Sequence, residues 1–307
     1  MRVVFFGTPA FAVPSLRALV EEGAAVVAVV TQPDRPQGRS RSTLLPPPVK
    51  QAAEELGLPV LQPERPRGDV FVASLRRLNP DLGVVVAYGH ILKPEVLAVP
   101  ARGMVNVHAS LLPRHRGAAP VHAAILAGDR STGVTIMQMD AGMDTGAILH
   151  QLSTDIGDAE TTGALTGRLA DLGARALVEA LVLLQRGELL PIPQDQARAT
   201  LAPKIDRDMA RIDWTAGASA VARRIRAFDP APGAWTTLGG LEVKLFGARP
   251  GPDTGAPGLI LRAEPALVIG TGDGSVEVTD VQPSGRRRMS ASEWHRGRGA
   301  GSGERFA

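Results

Sequence analysis

The stretch Met104-Val105-Asn106-Val107-His108 is a short apolar run that ends in an amide and an imidazole. It continues into residues 109–120, Ala-Ser-Leu-Leu-Pro-Arg-His-Arg-Gly-Ala-Ala-Pro, a segment punctuated by proline and glycine. Asn106 and His108 are two residues apart, so on a strand their side chains point to the same face of the sheet. In an open α/β sheet, binding and catalytic sites form at the carboxyl ends of the strands. The stretch therefore predicts a buried strand that ends in a reactive site.

The chain before this strand repeats the same pattern. Continuous apolar runs at 2–6, 24–31 and 82–87 predict strands, and helical patterns are predicted at 14–22, 47–56 and 68–78. Unbroken apolar runs, rather than alternating ones, indicate strands covered on both faces. The alternation of strands and helices predicts an α/β fold with a Rossmann-like, mostly parallel sheet.

The chain after this strand changes character near residue 191. Strands at 132–139 and 147–154 and a long helix at 161–186 precede a proline-containing stretch. A helix at 216–227 and short strands at 240–246, 258–261, 266–270 and 275–281 then predict a small OB-like β-barrel. We expect a catalytic domain over 1–190, a linker over 191–206 and a barrel domain over 207–307, with a disordered Gly- and Arg-rich tail from Arg296.

Composition narrows the class of protein. The chain of 307 residues has no cysteine, which excludes disulfides, thiolate zinc sites and a cysteine nucleophile, and suits a cytoplasmic protein. No apolar run is long enough to span a membrane. The pI is about 9.8, and arginines cluster in three places, namely Arg35 with Arg39 and Arg41, Arg223 with Arg224 and Arg226, and Arg286 with Arg287 and Arg288. The clusters suggest a polyanionic partner such as nucleic acid, although a GC-rich genome also produces arginine-rich surfaces.

A second polar segment, residues 139–146, supplies carboxylates, which residues 106–120 lack. An Asn amide donates to a developing oxyanion, and a His acts as acid, base or cation. Asp144, flanked by glycines, is placed to orient His108 and to accept a proton from an attacking amine. Taken singly, His108 reads as a buried core histidine and Asp144 as a turn residue. Taken together, the three predict acyl transfer to an amine, and no metal-ligand cluster is visible.

Residues 106–120 together with residues 139–146 resemble the formyltransferases that use 10-formyltetrahydrofolate. Residues 4–11, 31–39, 210–214 and 226–230 extend this resemblance to nearly the whole chain. The resemblance implies that Asn106, His108 and Asp144 are catalytic. It also implies direct transfer of the formyl group, without a metal, to the α-amino group of methionine on initiator methionyl-tRNA.

The resemblance also implies the binding residues. Residues Ser110, Leu111, Leu112 and Pro113 resemble the folate-binding segment, with residues 84–88 as a wall of the pterin cleft. The loop over 33–48, with Arg35, Arg39 and Arg41, resembles the element that enters the acceptor arm of the tRNA. The barrel domain resembles the part that contacts the outside of the tRNA, and we expect a monomer.

The chain departs from the family pattern in the basic loop and in the barrel domain. After Arg39 it reads Ser40-Arg41-Ser42, where the family commonly carries lysines, and Asp229-Pro230-Ala231-Pro232 replaces a usual Asn-Pro-Trp-Pro. The sequence leaves the roles of several other residues open. Arg114 and Arg116 suit a folate tail, an RNA backbone or a solvated loop. Tyr88 suits the pterin pocket or the core, and the arginines over 223–226 suit a solvated helix face or contact with RNA.

Three other readings compete with this one. A nicotinamide-dependent oxidoreductase needs a G-x-G-x-x-G turn, but residues 7–12 read Gly-Thr-Pro-Ala-Phe-Ala. A non-catalytic RNA-binding protein needs stacking aromatics, which make up only 4% of the chain, and does not need the three polar residues. A formyltransferase acting on a small amine shares the catalytic residues, but the basic loop and the extra domain favour a tRNA substrate.

Overall fold

The computed structural model describes residues 1–37, 43–297 and 299–307. The chain forms two compact units. The first unit comprises Met1–Gly117, Thr132–Thr154 and Thr166–Leu201, and the second comprises Ala118–Ser131, Asp155–Leu165 and Ala202–Ala307.

The strands and helices are numbered here in chain order. The strands are β1 (Arg2–Gly7), β2 (Ala25–Val30), β3 (Arg35–Gln37), β4 (Thr43–Leu45), β5 (Val60–Leu61), β6 (Leu82–Val86), β7 (Met104–His108), β8 (Arg116–Gly117), β9 (Ser131–Gln138), β10 (Ile148–Asp155), β11 (Leu201–Ala202), β12 (Ala234–Leu238), β13 (Leu241–Gly251), β14 (Ile260–Arg262), β15 (Leu267–Gly270), β16 (Ser275–Pro283) and β17 (Met289–Ser290). The helices are α1 (Val13–Glu21), α2 (Pro48–Glu55), α3 (Asp69–Arg77), α4 (Pro94–Leu97), α5 (Pro120–Ala127), α6 (Thr162–Arg186), α7 (Ala218–Ala227) and α8 (Ala291–Arg296).

The first unit is built on a seven-stranded sheet in the order β10-β9-β7-β6-β1-β2-β5. Strands β5, β2, β1, β6 and β7 run parallel, and β9 pairs antiparallel with β7. Successive side chains of a strand point to opposite faces of the sheet, and all four from Val3 to Phe6 in β1 are buried. Both faces of the sheet are therefore covered at this strand. The predicted Rossmann-like, mostly parallel sheet is confirmed.

Prolines set where several helices begin. α1, α2, α4 and α5 each carry a proline in the first two helical positions, where a missing N–H costs no hydrogen bond. The fixed φ of proline is already close to the helical value there. In each of these helices the proline therefore marks the start.

The second unit is built on an antiparallel sheet in the order β12-β13-β16-β15-β14, with β17 paired to β16. The sheet curls into a half-barrel around a core that includes Val243, Leu245 and Val278, and α7 packs its apolar face on this core. The predicted OB-like barrel is confirmed as this half-barrel. Strand β12, which the sequence did not indicate, pairs with β13 from Ala234 to Leu238.

The tail from Arg296 was predicted to be disordered, and for residues 299–307 that prediction is wrong. Phe306 is buried, with its ring 5.7 Å from that of Trp214 and 6.5 Å from that of Trp294, both nearly parallel. The backbone of Ala307 exchanges hydrogen bonds with Thr237 at 2.9 and 3.2 Å. One aromatic anchor outweighs the flexible composition around it, because burying a phenylalanine contributes roughly 1.5–3 kcal/mol.

The arginines of α7 also differ from their prediction as a solvated helix face. The guanidinium of Arg224 donates to the carbonyls of Met209 and Arg211 at 2.5 and 3.2 Å. That of Arg226 donates to the carbonyl of Glu160 at 3.1 Å. Both side chains are half-buried and join the helix to neighbouring backbone.

No helix among the described residues is long and apolar enough to cross a membrane.

Candidate active site

Strand β7 carries Asn106 and His108 to the carboxyl end of the parallel sheet. Asn106 lies opposite Val85 of β6 and Met137 of β9, and His108 is the last residue of the strand. The strand order reverses between β1 and β6, so β7 lies one strand beyond the switch point. The position is therefore the one at which open α/β sheets form their sites. Asn106 is partly exposed there, whereas His108 is buried.

The imidazole of His108 lies between two oxygen atoms. Its Nε2 is 3.0 Å from the backbone carbonyl of His115, and its Nδ1 is 3.5 Å from Oδ2 of Asp144. A carbonyl oxygen only accepts, so the geometry assigns a proton to Nε2. In the neutral ring Nδ1 then presents a lone pair to the carboxylate, whereas in the protonated ring it presents an N–H.

These contacts and the burial of the ring have opposite effects on the pKa of His108. Burial lowers the pKa of His108, because an imidazolium loses its hydration in the protein interior. The Asp144 carboxylate and the His115 carbonyl raise that pKa, and the His115 ring lowers it. The net direction is downward, so the ring is held mainly neutral with an adjacent anion that favours its protonation.

The loop from Met139 to Gly146 uses its two carboxylates differently. Asp140 makes the turn, since its Oδ1 accepts from the Gly142 N–H at 2.9 Å and from the Thr145 hydroxyl at 2.8 Å. Asp144 is left to face outward from the turn, with Oδ2 accepting from the Gly117 N–H at 2.8 Å as well as facing His108. The turn-residue reading therefore applies to Asp140, and the structure brings Asp144 and His108 together.

Two backbone features fix this loop. A Cβ at Gly146 would lie 1.8 Å from the carbonyl oxygen of Gln138, so only glycine fits there. Asp144 itself has φ of 54°, in the left-handed region that non-glycine residues rarely adopt, and His115 has φ of 59°. Both residues that contact the His108 ring are thus in strained conformations, which concentrate at functional sites.

The segment Ser110–Pro113 follows β7 directly, and buried hydrogen bonds fix its backbone. Ser110 is fully buried, and its hydroxyl donates to the carbonyl of Arg114 at 2.6 Å. The Thr135 hydroxyl donates to the Ser110 carbonyl at 2.6 Å and accepts from the Leu112 N–H at 3.0 Å. Leu112 is buried, so Leu111 and Pro113 are the partly exposed side chains of this segment.

The basic loop is anchored at both ends. The ammonium of Lys50 lies 2.7 Å from a carboxylate oxygen of Asp34, and the Gln62 amide donates to the same carboxylate at 2.7 Å. Arg35 is exposed and its guanidinium donates to Oε1 of Gln32. Arg39 and Arg41, the other two residues predicted to bind tRNA, lie outside the described residues.

Tyr88 belongs to the core rather than to an open pocket wall. Its ring is buried and meets that of Phe6 edge-on at 5.4 Å, and burial raises the pKa of Tyr88 to about 12. Its backbone carbonyl accepts from Thr8 and Gln32 at 2.9 and 3.0 Å. Of the residues over 84–88, Ala87 is the exposed one, and it has φ of 47°.

Sequence reasoning missed the part of the site that lies between Pro193 and Thr200. Gln194 is buried and donates to the carbonyls of Asp144 and Gly146 at 2.9 and 2.7 Å. Arg116, also buried, donates to the Gln194 side-chain oxygen. Its predicted roles as a folate, RNA or solvent contact do not fit that burial. The sequence gives no local signal, because these partners are 78 residues apart.

Within the described ranges, no three His, Asp or Glu side chains are arranged to hold a metal ion.

Comparison with protein families gives two matches that together span most of the chain. The model described as formyl transferase matches residues 1–181, and the model described as formyl transferase, C-terminal domain, matches residues 204–299. The first match includes the whole β7 site and the Asp144 loop.

Individual relatives agree over nearly the full length. The methionyl-tRNA formyltransferase of Methylococcus capsulatus is 50% identical over 297 residues, covering 96% of this chain and 96% of the relative. That of Citrifermentans bemidjiense is 47% identical over 295 residues, covering 96% of this chain and 92% of the relative. A crystal structure of HypX from Aquifex aeolicus in complex with tetrahydrofolic acid has a TM-score of 0.65 at 23% identity, covering 95% of this chain and 46% of that protein. The last likeness shows the fold alone.

Proposed function

This chain belongs to the formyl transferase family, and we propose that it transfers a formyl group from 10-formyltetrahydrofolate to the α-amino group of methionine on initiator methionyl-tRNA. The observation that carries the proposal is the near full-length similarity to methionyl-tRNA formyltransferases, at a level where both domains align. The product, N-formylmethionyl-tRNA, serves translation initiation. As parts of the same proposal we place the enzyme in the cytoplasm and expect a monomer.

The proposed chemistry makes one bond and breaks one. 10-Formyltetrahydrofolate supplies the formyl carbon, which leaves N10 and becomes bonded to the amine nitrogen, while the amine loses a proton and N10 gains one. A free α-amine has a pKa near 8. The ester bond to the tRNA lowers the pKa of the methionine amine below that value, so much of the nucleophile is already unprotonated near neutral pH. The chain's task is then to position the two reactants and to stabilise charge on the formyl oxygen.

Three side chains carry these tasks in the proposal. The partly exposed amide of Asn106 donates to the formyl oxygen as negative charge develops on it. His108, next along the same face of β7, adds a positive charge when its ring is protonated. Asp144 lies 3.5 Å from the ring, favours its protonated form and accepts the proton that the amine releases.

The substrate contacts remain proposals as well. We place the folate against Leu111 and Pro113, because Ser110 and Leu112 are buried and fix the backbone beneath them. We place the acceptor arm of the tRNA at the loop over 33–48, where Arg35 is exposed. In the same terms, residues 1–190 act as the catalytic domain, 191–206 as the connection and 207–307 as the tRNA-binding domain.

Formyl transfer to methionine-charged initiator tRNA tests this proposal directly. We expect the intact chain to formylate it from 10-formyltetrahydrofolate and His108→Ala to lose about 10²–10⁴-fold in kcat. His150→Ala is the matched control, because His150 is a histidine of the first unit that pairs with Glu179 instead. Transfer only to free amines or small amino compounds would contradict the tRNA substrate. Full activity in His108→Ala would contradict the catalytic assignment.

A further inference from the structure

The segment between Pro191 and Thr200 contacts the two residues that hold the His108 ring. Ile192 exchanges two backbone hydrogen bonds with Ile148, both of 2.8 Å. Two residues on, Gln194 reaches the carbonyls of Asp144 and Gly146. Thr200 then accepts from the His115 N–H through its hydroxyl at 2.9 Å. A stretch that resembles a passive linker in sequence is thus bonded to both sides of the site.

The orientation of the Gln194 amide is fixed by Arg116. Nε and a terminal nitrogen of the Arg116 guanidinium donate to Oε1 of Gln194 at 3.0 and 2.6 Å. A guanidinium has no acceptor, so the amide oxygen must face it and the amide NH₂ must face the two carbonyls. A third donor of Arg116 is held by Gln196 at 2.8 Å. Because Arg116 and Gln194 are both buried, solvent does not compete for these bonds.

The carbonyl that Gln194 holds belongs to the residue with the least favourable backbone in the loop. Asp144 has a left-handed φ of 54°, which a non-glycine residue adopts only when its surroundings impose it. Hydrogen bonds to its own carbonyl, and to that of Gly146 two residues on, restrain two peptide planes that follow Asp144. The Asp144 carboxylate depends on that backbone for its 3.5 Å separation from His108.

We propose that Gln194, oriented by Arg116, is a positioning residue that sets the separation between the Asp144 carboxylate and the His108 ring. This inference rests on the proposed roles of His108 and Asp144. It assigns to residues 192–200 a function beyond connecting two domains. The interaction between two charges changes steeply at such short range, so a shift of about 1 Å in Asp144 alters the protonation of His108.

Gln194→Glu removes the NH₂ that holds the two carbonyls and keeps an acceptor for Arg116, whose guanidinium pairs with the negative charge that the substitution adds. We expect the pKa of the His108 ring, followed by NMR, to fall by roughly half a pH unit or more as Asp144 moves away. Asp144 and His115 are the titratable groups that face this ring. We expect kcat to fall about 10–100-fold, with KM for both substrates within about threefold of the parent. Gln194→Met, which also removes the acceptor, gives the same direction if it folds.

A double-mutant cycle separates positioning from simple destabilisation. If Gln194 acts through Asp144, Gln194→Glu causes no further loss of kcat in an Asp144→Asn background. Leu75→Val is the control, because Leu75 is fully buried in α3 within a core cluster that contains none of these residues, so it lowers Tm and leaves the His108 titration unchanged.

Two outcomes overturn the inference. One is a Gln194→Glu protein that loses Tm but keeps the parental His108 pKa and pH profile of kcat. The other is full additivity in the cycle. The NMR titration needs no substrate, so it gives its answer even if the tRNA assay shows that the proposed acceptor is wrong.

Discussion

At the scale of single residues, the site depends on one carboxylate oxygen that faces both the Gly117 N–H and the His108 ring. Oδ2 of Asp144 accepts from the Gly117 N–H and faces Nδ1 of His108, while the burial of His108 opposes its protonation. The backbone contact orients the carboxylate, and the charge acts on the ring. These two roles are separable, because an asparagine at 144 retains the acceptor and loses the charge.

Asp144→Asn is therefore expected to lower the pKa of His108 further, since the attraction that favours the imidazolium disappears. The expected shift is about 1 pH unit or more for a carboxylate within hydrogen-bonding range. NMR titration of the His108 ring measures it, with kcat for formyl transfer expected to fall at least about 100-fold. Asp140→Asn is the matched control, because Asp140 lies in the same loop and bonds within the turn, to Gly142 and Thr145. An unchanged His108 titration in Asp144→Asn would show that the carboxylate does not act on the ring.

At the scale of elements, the last residues of the chain complete the half-barrel. The ring of Phe306 lies nearly parallel to those of Trp214 and Trp294, and the backbone of this tail bonds to Gly258 and to Thr237. The three rings come from three separate parts of the sequence. The tail is thus a structural element of the barrel although it has no regular secondary structure.

Phe306→Ala is expected to destabilise the second unit by about 3–5 kcal/mol, the usual cost of removing a large buried aromatic ring. All three tryptophans, Trp214, Trp235 and Trp294, belong to this unit, so their fluorescence reports its unfolding. Urea titration followed by tryptophan emission measures the change, together with a red shift as water reaches the two indoles. Leu241→Ala, on the exposed side of β13, should change the stability by less than about 0.5 kcal/mol. Equal effects of both variants would mean that the tail is not part of the core.

The elements that sequence predicts and those it misses differ in the range of their contacts. β1, β6 and β7 are evident because their apolar runs are local, and the carboxyl end of β7 places Asn106 and His108 from the same pattern. The partners of Gln194 and Phe306 are distant in sequence, so no window of residues shows them. The Gly- and Arg-rich composition of the tail predicts disorder, because the contact of Phe306 with two distant tryptophans is visible only in the structure. The pairing of Asp144 with His108 is predicted from the two polar segments and from the family resemblance, but the strained backbone of Asp144 is not.

At the scale of the whole molecule, each unit contains one histidine that burial keeps mainly neutral. His108 in the first unit and His122 in the second both have a pKa lowered from the ordinary value of 6.5, with burial as the largest cause. Unfolding exposes these rings to water and restores their usual affinity for protons. Acid therefore acts on both units through the same linkage.

The chain is accordingly expected to lose stability as the pH falls below about 6.5, because the unfolded state then binds protons that the folded state does not. Above that pH both states have neutral rings and the effect vanishes. Each histidine contributes at most about 1.4 kcal/mol per pH unit. The lowered carboxylate pKa values of Asp213 and Glu277 start from 3.8 and 4.5, so they act in more acidic solution. Tryptophan-monitored thermal unfolding between pH 5.5 and 7.5 isolates the second unit, and His122→Gln should flatten its pH dependence. A slope that persists unchanged in His122→Gln would assign the acid sensitivity of that unit to other groups.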